Sequence, residues 1–181
     1  MQTRRIRLRA LTKSDSTVSW SWRNADSIRD YYSGHPFFIN IEKEQAWFDK
    51  ITMSDIPLSC FGIELLDKKL LIGMSFLKDI NLIHRTAEFA IFIGDEKYIG
   101  KGYAKEATLR TIDFAFQQLN LNRLFLFVQN NNSRAIELYL KCGFVNEGVL
   151  RESVFKNGKY FDKHIMAILK TEYYKQIQDS V

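Results

Sequence analysis

Apolar and polar positions change period several times along this chain, and the changes divide it into elements. From Thr3 to Leu11 basic and apolar residues alternate, the period-two pattern of a strand with one wet face. Ser14-Asp15 then reads as a helix start with Ser14 as N-cap, on a segment carrying Trp20, Trp22 and Arg23. A second helical stretch covers roughly Asp26 to Tyr32 and is broken by Gly34-His35-Pro36. A third begins near Asn40 and runs to about Met53, its Ile41, Trp47, Phe48 and Ile51 fitting one face loosely. Leu58 to Leu66 and Leu70 to Asp79 read as strands joined by a turn at Asp67-Lys68-Lys69.

Thr86 to Ile93 is the next strand. A glycine-containing stretch follows it, and then a helix to about Leu119. Ala104, Ala107, Thr108, Thr111, Ile112, Ala115, Phe116 and Leu119 give that helix one small or apolar stripe. Asn122 to Gln129 is a strand whose centre, Leu124 to Val128, is apolar throughout and predicts burial on both faces. Asn132 or Ser133 caps a short helix carrying Ala135, Ile136, Leu138, Tyr139 and Leu140, and Gly143 ends it. Phe144 to Ser153 and Tyr160 to Leu169 form a closing hairpin turned at Asn157-Gly158. About seven strands and four or five helices predict an α/β fold, with helices on both faces of one mixed sheet.

Composition narrows the class. With 181 residues, 46% of them apolar, the chain is one globular domain with a real core rather than a disordered segment. No apolar run approaches the ~20 residues of a membrane span. The charged start has no apolar stretch behind it, so no secretory signal is expected. Cys60 and Cys142 lie far apart and read as reduced thiols of a cytoplasmic protein. His35, His84 and His164 form no metal-spaced cluster, so no metal site is expected. The net charge of +5 raises a nucleic-acid partner, but Lys and Arg are scattered among acids, and a polyphosphate coenzyme would equally favour a basic surface.

The chemistry centres on Tyr98-Ile99-Gly100-Lys101-Gly102-Tyr103-Ala104-Lys105, between a strand and a helix. Gly100 and Gly102 permit positive φ and close backbone approach to a ligand. The first amides of a helix have no carbonyl partner in a preceding turn, and the helix dipole adds to them, so such a mouth attracts anions. Lys101 and Lys105 add charge. The pattern is neither a Walker loop nor the dinucleotide fingerprint, whose third glycine would fall at Lys105. It reads as a cradle for a coenzyme's pyrophosphate; the alternative is an ordinary connection packed with glycines.

A second motif follows: Asn132-Ser133-Arg134-Ala135-Ile136-Glu137-Leu138-Tyr139-Leu140-Lys141-Cys142-Gly143-Phe144. It closely resembles the coenzyme A motif of the GNAT N-acetyltransferases, and the glycine loop upstream resembles that family's Gln/Arg-x-x-Gly-x-Gly/Ala signature, with Lys97 in first place. The opening Ile6 to Leu11, the ending Gly148 to Glu152 and Asn157 to Tyr160 resemble the ribosomal-protein and spermidine acetyltransferase branch. Ile80 to Phe89 is most similar to the spermidine enzymes.

The resemblance implies the GNAT fold, a mostly antiparallel seven-stranded mixed sheet, and direct acetyl transfer from acetyl-CoA to a primary amine. It implies that backbone groups of Ile91, Phe92 and Ile93 bind the pantetheine arm, with Ile99 to Lys105, Asn132, Arg134, Ala135 and Lys141 on the coenzyme. Tyr139 would protonate the leaving thiolate; the alternative is a core aromatic. Glu88 is the candidate base, or else a salt-bridged strand residue. For the acceptor, Tyr31, Glu42 and Trp47 are candidates. Glu42 falls where the spermidine enzymes have an acceptor-site glutamate, or is a first-turn acid of a helix. Where those enzymes carry a Glu-Glu pair before a proline, this chain has Ser33-Gly34-His35 before Pro36, which weakens the expectation of a regulatory polyamine site and a large oligomer. A polyamine such as spermidine leads as small-molecule acceptor, with a ribosomal-protein N-terminus or an amino sugar or aminoglycoside as alternatives. A homodimer or higher homo-oligomer is the family expectation, with no nucleic-acid or membrane partner.

Overall fold

The computed structural model describes residues 4–31, 37–53 and 59–178. The expectations that fall on Thr3, Tyr32 to Pro36 and Leu58 lie outside the described residues. The elements are β1 (Ile6–Ala10), α1 (Asp15–Asn24), α2 (Asp26–Arg29), α3 (Ile41–Thr52), β2 (Ser59–Leu65), β3 (Leu70–Asn81), β4 (Thr86–Ile93), α4 (Tyr103–Asp113), β5 (Arg123–Gln129), α5 (Ser133–Lys141), β6 (Val145–Lys156), β7 (Lys159–Leu169) and α6 (Lys170–Gln178). A 3₁₀ turn, Glu96–Tyr98, precedes the glycine loop, and a π-helical segment, Phe114–Gln118, extends α4. The strands hydrogen-bond in the order β1-β2-β3-β4-β5-β7-β6, a seven-stranded mixed sheet.

The chain divides into two compact units that share β3, β4 and α4 along the sequence. The first takes residues up to Phe76 together with Ile91–Ala107. Its β1 and β2 run antiparallel from Ile6↔Leu65 to Ala10↔Phe61. Strand alternation sorts side chains to two faces. On one, Ile6, Ile63, Leu65, Ile72 and Ile93 pack with Ala107 under the first turns of α4, joined by Ile91, Ile99, Tyr103 and Ala104. On the other, Leu71, Met74, Phe76 and Phe92 pack with Trp22 of α1 and with Trp47, Phe48 and Ile51 of α3. Helices thus cover both faces of this part of the sheet.

One detail of the first unit corrects the sequence reading and another bears it out. Ser14 sits at the N-cap position of α1 with helical φ and ψ and makes no capping bond. The next residue, Asp15, accepts from the amide of Thr12 at 2.8 Å and from its hydroxyl at 3.0 Å. Asn40 does cap α3, its side-chain oxygen accepting from Lys43 N at 2.9 Å.

The second unit takes Leu77–Ala90 and the chain from Thr108 onward. β4 and β5 are parallel, paired from Thr86↔Arg123 to Glu88↔Phe125. β5 and β7 are antiparallel along the whole of β5. β5 was expected to be buried on both faces. Instead Leu124, Leu126 and Val128 are buried while Phe125 and Phe127 are half-buried, and the Lys163 ammonium lies 5.2 Å from the Phe127 ring. The closing hairpin turns at Asn157 (φ 49°) and Gly158 (φ 77°), the two positive φ values of a type I′ turn. Its strands run longer than expected because β6 bulges between Leu150 and Val154 and then resumes pairing at Val154↔Phe161. α6 was not foreseen. Its Tyr173, 5% exposed, donates to Asp113 and packs on Phe116 at a centroid distance of 5.7 Å.

Candidate active site

The glycine loop belongs to the first unit. Asp95 accepts from Lys97 N at 3.0 Å and closes the 3₁₀ turn. Gly100 and Gly102 then take φ of 76° and 82°. In this left-handed region a Cβ costs about 1 kcal/mol or more, which is why glycine serves at both positions. The first intrahelical bond of α4 runs from Glu106 N to Gly102 O at 3.1 Å. The amides of Gly102, Tyr103, Ala104 and Lys105 therefore stand ahead of the helical ladder, at the positive end of the dipole. Lys101 and Lys105 are exposed. The ammonium groups of Lys101 and Lys68 lie 5.7 and 5.9 Å from the Tyr98 ring, concentrating positive charge beside the loop.

Just before this loop, Ile91 and Ile93 point to the α4 face and Phe92 to the α1 and α3 face. Phe92 stacks on Phe76 at 6.1 Å, and Phe76 meets Trp47 at 6.4 Å. Trp47, an acceptor candidate, is thus half-buried in an aromatic row that reaches Phe92. The Arg23 guanidinium stands 5.6 Å over its ring. Glu42 and Tyr31 are exposed. The acid of α3 that the fold draws inward is Glu44, fully buried, which accepts from Ser19 Oγ at 2.5 Å and from Arg23 Nη1 at 2.7 Å. The sequence reading missed this cluster; the recurrence of Ser19 and Arg23 four residues apart on one helix face was its only trace.

The second motif lies in the second unit. Asn132 accepts from Ala135 N at 3.2 Å through its side-chain oxygen and so caps α5. That oxygen is engaged by the helix. Arg134 is exposed, and Lys141 is paired with Glu137 one turn away at 3.1 Å. Tyr139 is 7% exposed. Its ring meets Phe89 edge-on at 6.2 Å and Phe144 at 5.8 Å. Burial, with a smaller contribution from Cys142, pushes its phenol above the ordinary tyrosine value, so it carries its proton throughout the neutral range.

Glu88, the candidate base, accepts from Lys78 Nζ at 2.9 Å, and its side chain is 21% exposed. It is therefore a salt-bridged strand residue, and acting as a base requires that ammonium to move or to share it. Neither cysteine offers a ready nucleophile. Burial pushes the Cys60 thiol up to about 12, and Cys142 is 1% exposed. Among the described residues no group of His, Cys, Asp and Glu is placed to hold a metal ion, and no helix is long and apolar enough to cross a membrane.

A family of GNAT acetyltransferase domains matches residues 5–145. The chain belongs to that family and is an acetyl-CoA-dependent N-acetyltransferase. Among curated proteins it is 38% identical to spermidine N(1)-acetyltransferase of Vibrio cholerae over 93% of this chain and 95% of that one. It is 34% identical to the spermidine N(1)-acetyltransferase of Escherichia coli K12 over 93% and 88%. Among solved structures, the Vibrio cholerae spermidine N-acetyltransferase in complex with CoA and spermine superposes with a TM-score of 0.85 at 35% identity, covering 94% of this chain and 98% of that one.

Proposed function

We propose that this chain transfers the acetyl group of acetyl-CoA directly to a primary amine of a polyamine such as spermidine. The observation that carries the reading is the similarity, over nearly the full length of both chains, to enzymes named for spermidine. The matched neighbour solved with CoA and spermine supports it. The family match takes in parts of both units, and we read the whole chain as one acetyltransferase domain. Neither Cys60 nor Cys142 forms a disulfide, and we place the chain in the cytoplasm. We read the active form as a homodimer or higher homo-oligomer, by family.

In this reading the amides of Gly102 to Lys105 bind the diphosphate and the edge of Ile91 to Ile93 binds the pantetheine arm. The β4–β5 pairing ends at Glu88↔Phe125, so the backbone beyond it is not engaged by that ladder. A backbone N–H aimed at the thioester oxygen would stabilise the oxyanion by about 3 kcal/mol, the usual value of such a donor. A primary alkylamine has a pKa near 10.4, so about one molecule in a thousand is neutral at pH 7.4. The neutral nitrogen attacks the carbonyl carbon, the C–N bond forms, and the C–S bond breaks as the oxyanion collapses. Tyr139 delivers its proton to the departing sulfur. The raised phenol is too weak an acid to give it up in advance, so the transfer accompanies C–S cleavage. The ammonium proton leaves through water or Glu88.

An acceptor panel tests the proposal. Purified protein, acetyl-CoA and each amine are combined, free thiol is followed, and products are identified by mass spectrometry. Spermidine or spermine should give the largest kcat/KM and a mono-acetylated product. Preference for a ribosomal-protein N-terminal peptide, an amino sugar or an aminoglycoside, with no turnover of polyamines, would overturn it.

A further inference from the structure

We propose that Arg5 is a positioning residue for the coenzyme, one that orients the glycine loop so that its amides converge on the diphosphate. This rests on the reading that Gly100 to Lys105 holds that diphosphate. Arg5 Nη1 donates to Lys101 O at 2.9 Å. Its Nε donates to Glu106 Oε2 at 3.3 Å, while the backbone amides of Arg5 and Ile6 donate to Glu106 Oε1 at 3.1 and 3.3 Å. The guanidinium carbon stands 4.6 Å over the Tyr103 ring. A Cβ on Gly102 would come within 3.2 Å of Arg5 Nη2, so the side chain is drawn tightly over the loop.

These contacts fix a peptide that has little else to hold it. Lys101 lies between two glycines of positive φ, where rotation of the peptide planes meets no side-chain barrier. The peptide joining Lys101 to Gly102 is planar and trans, so its C=O and N–H point in opposite directions. Holding the carbonyl on Arg5 therefore aims the Gly102 N–H the other way, to the side opposite the guanidinium. If that peptide flipped, a carbonyl oxygen would replace an amide at the anion site. Arg5 also offsets Glu106, whose negative charge on the first turn suits the helix dipole but opposes a bound diphosphate. The guanidinium fork is needed because it reaches the Lys101 carbonyl and the Glu106 carboxylate together, which a single ammonium does not.

The test compares coenzyme A with a fragment of it that has no diphosphate. Coenzyme A and pantetheine, which lacks the diphosphate and the nucleotide, are titrated calorimetrically into the wild-type protein and into the Arg5→Met and Arg5→Lys variants. Wild type should bind coenzyme A far more tightly than pantetheine. Arg5→Met should weaken coenzyme A about tenfold, the cost of about one charge-assisted hydrogen bond, and leave pantetheine within about twofold. Arg5→Lys should weaken coenzyme A as well, and it preserves the test should Arg5→Met fail to fold. Equal weakening of both ligands, or unchanged coenzyme A affinity, would overturn the role of Arg5 while the wild-type difference stands. Equal binding of the two ligands by wild type would overturn the diphosphate reading itself, and the proposal with it.

Discussion

The ring of Tyr139 stands edge-on to that of Phe89, centroids 6.2 Å apart and planes at 88°, and Phe89 is the first β4 residue beyond the last pair that β4 forms with β5. The phenol is therefore packed by its ring against the strand at the point where the ladder ends. Removing the hydroxyl leaves that packing in place. Tyr139→Phe should lower kcat by about a hundredfold or more, the usual range for a lost general acid, with acetyl-CoA affinity within about twofold and an unchanged melting temperature. The pH profile carries a second check. Because burial raises the phenol, it stays protonated through the alkaline range, and the wild-type rate should climb with amine deprotonation between about pH 7 and 10 without a falling limb.

Arg9 ties two buried acids together. It donates to both oxygens of Asp15 at 2.8 and 2.9 Å and to Glu64 at 2.6 Å, and Arg7 completes Glu64 at 2.7 Å. Burial alone would raise both acids, but their arginine partners, with the Thr12 groups at Asp15, outweigh it and hold both carboxyls below their ordinary values. The native state thus binds fewer protons than the unfolded chain in acid. The stability these groups confer is full above about pH 4 and is lost as pH falls through their lower native values. Arg9→Met should cost about 3 kcal/mol at pH 7, as expected when one partner of a buried pair is removed. The gap in melting temperature between wild type and variant should close on acidification toward about pH 3.

Gly94 is enclosed by an aromatic ring. A Cβ there would fall 1.9 to 2.4 Å from atoms of the Trp22 indole. Trp22 is 8% exposed and packed edge-on to Phe92 at 6.2 Å, so it has little room to retreat. Gly94→Ala should destabilise the protein by about 2 to 3 kcal/mol through overpacking, read as a lower midpoint in urea with an unchanged slope.

The Lys78–Glu88 pair separates two roles for Glu88. If Glu88 accepts the amine's proton, Glu88→Gln should lower kcat/KM by about a hundredfold at pH 7.5, and the rate should recover as pH rises and the ammonium loses its proton unaided. Lys78→Met removes the ammonium that holds Glu88 and should change kcat/KM only if that carboxylate takes part in the reaction. A purely structural pair would show lower melting temperatures in both variants and unmoved pH profiles.

Much of the fold was legible because strands and helices write their periods into local sequence. β4 has the predicted limits, and Asn40 and Asn132 signalled the starts of α3 and α5. α6 was not legible. Its sequence, KTEYYKQIQ, has little amphipathic pattern, and its anchor is a hydrogen bond from Tyr173 to Asp113, sixty residues away. Ser14 misled because residue type alone suggested a cap, whereas the neighbouring carboxylate of Asp15 was already engaged by Thr12 and Arg9. At the site, the glycine loop and the Asn132 to Phe144 motif could be found because backbone geometry constrains their residue types. The tie of Arg5 to Lys101 leaves no periodic trace and that of Arg23 to Glu44 only the spacing of Ser19 and Arg23, so both long-range pairings emerge only from the fold.

Direct transfer, with no acetyl group ever resting on the protein, is tested most squarely by rapid-quench kinetics with enzyme in excess over acetyl-CoA. The expected result is no thiol release until amine is added, and then one free thiol for each N-acetylated polyamine. A burst of thiol from acetyl-CoA alone, with acetyl recovered on the protein by intact mass, would contradict it.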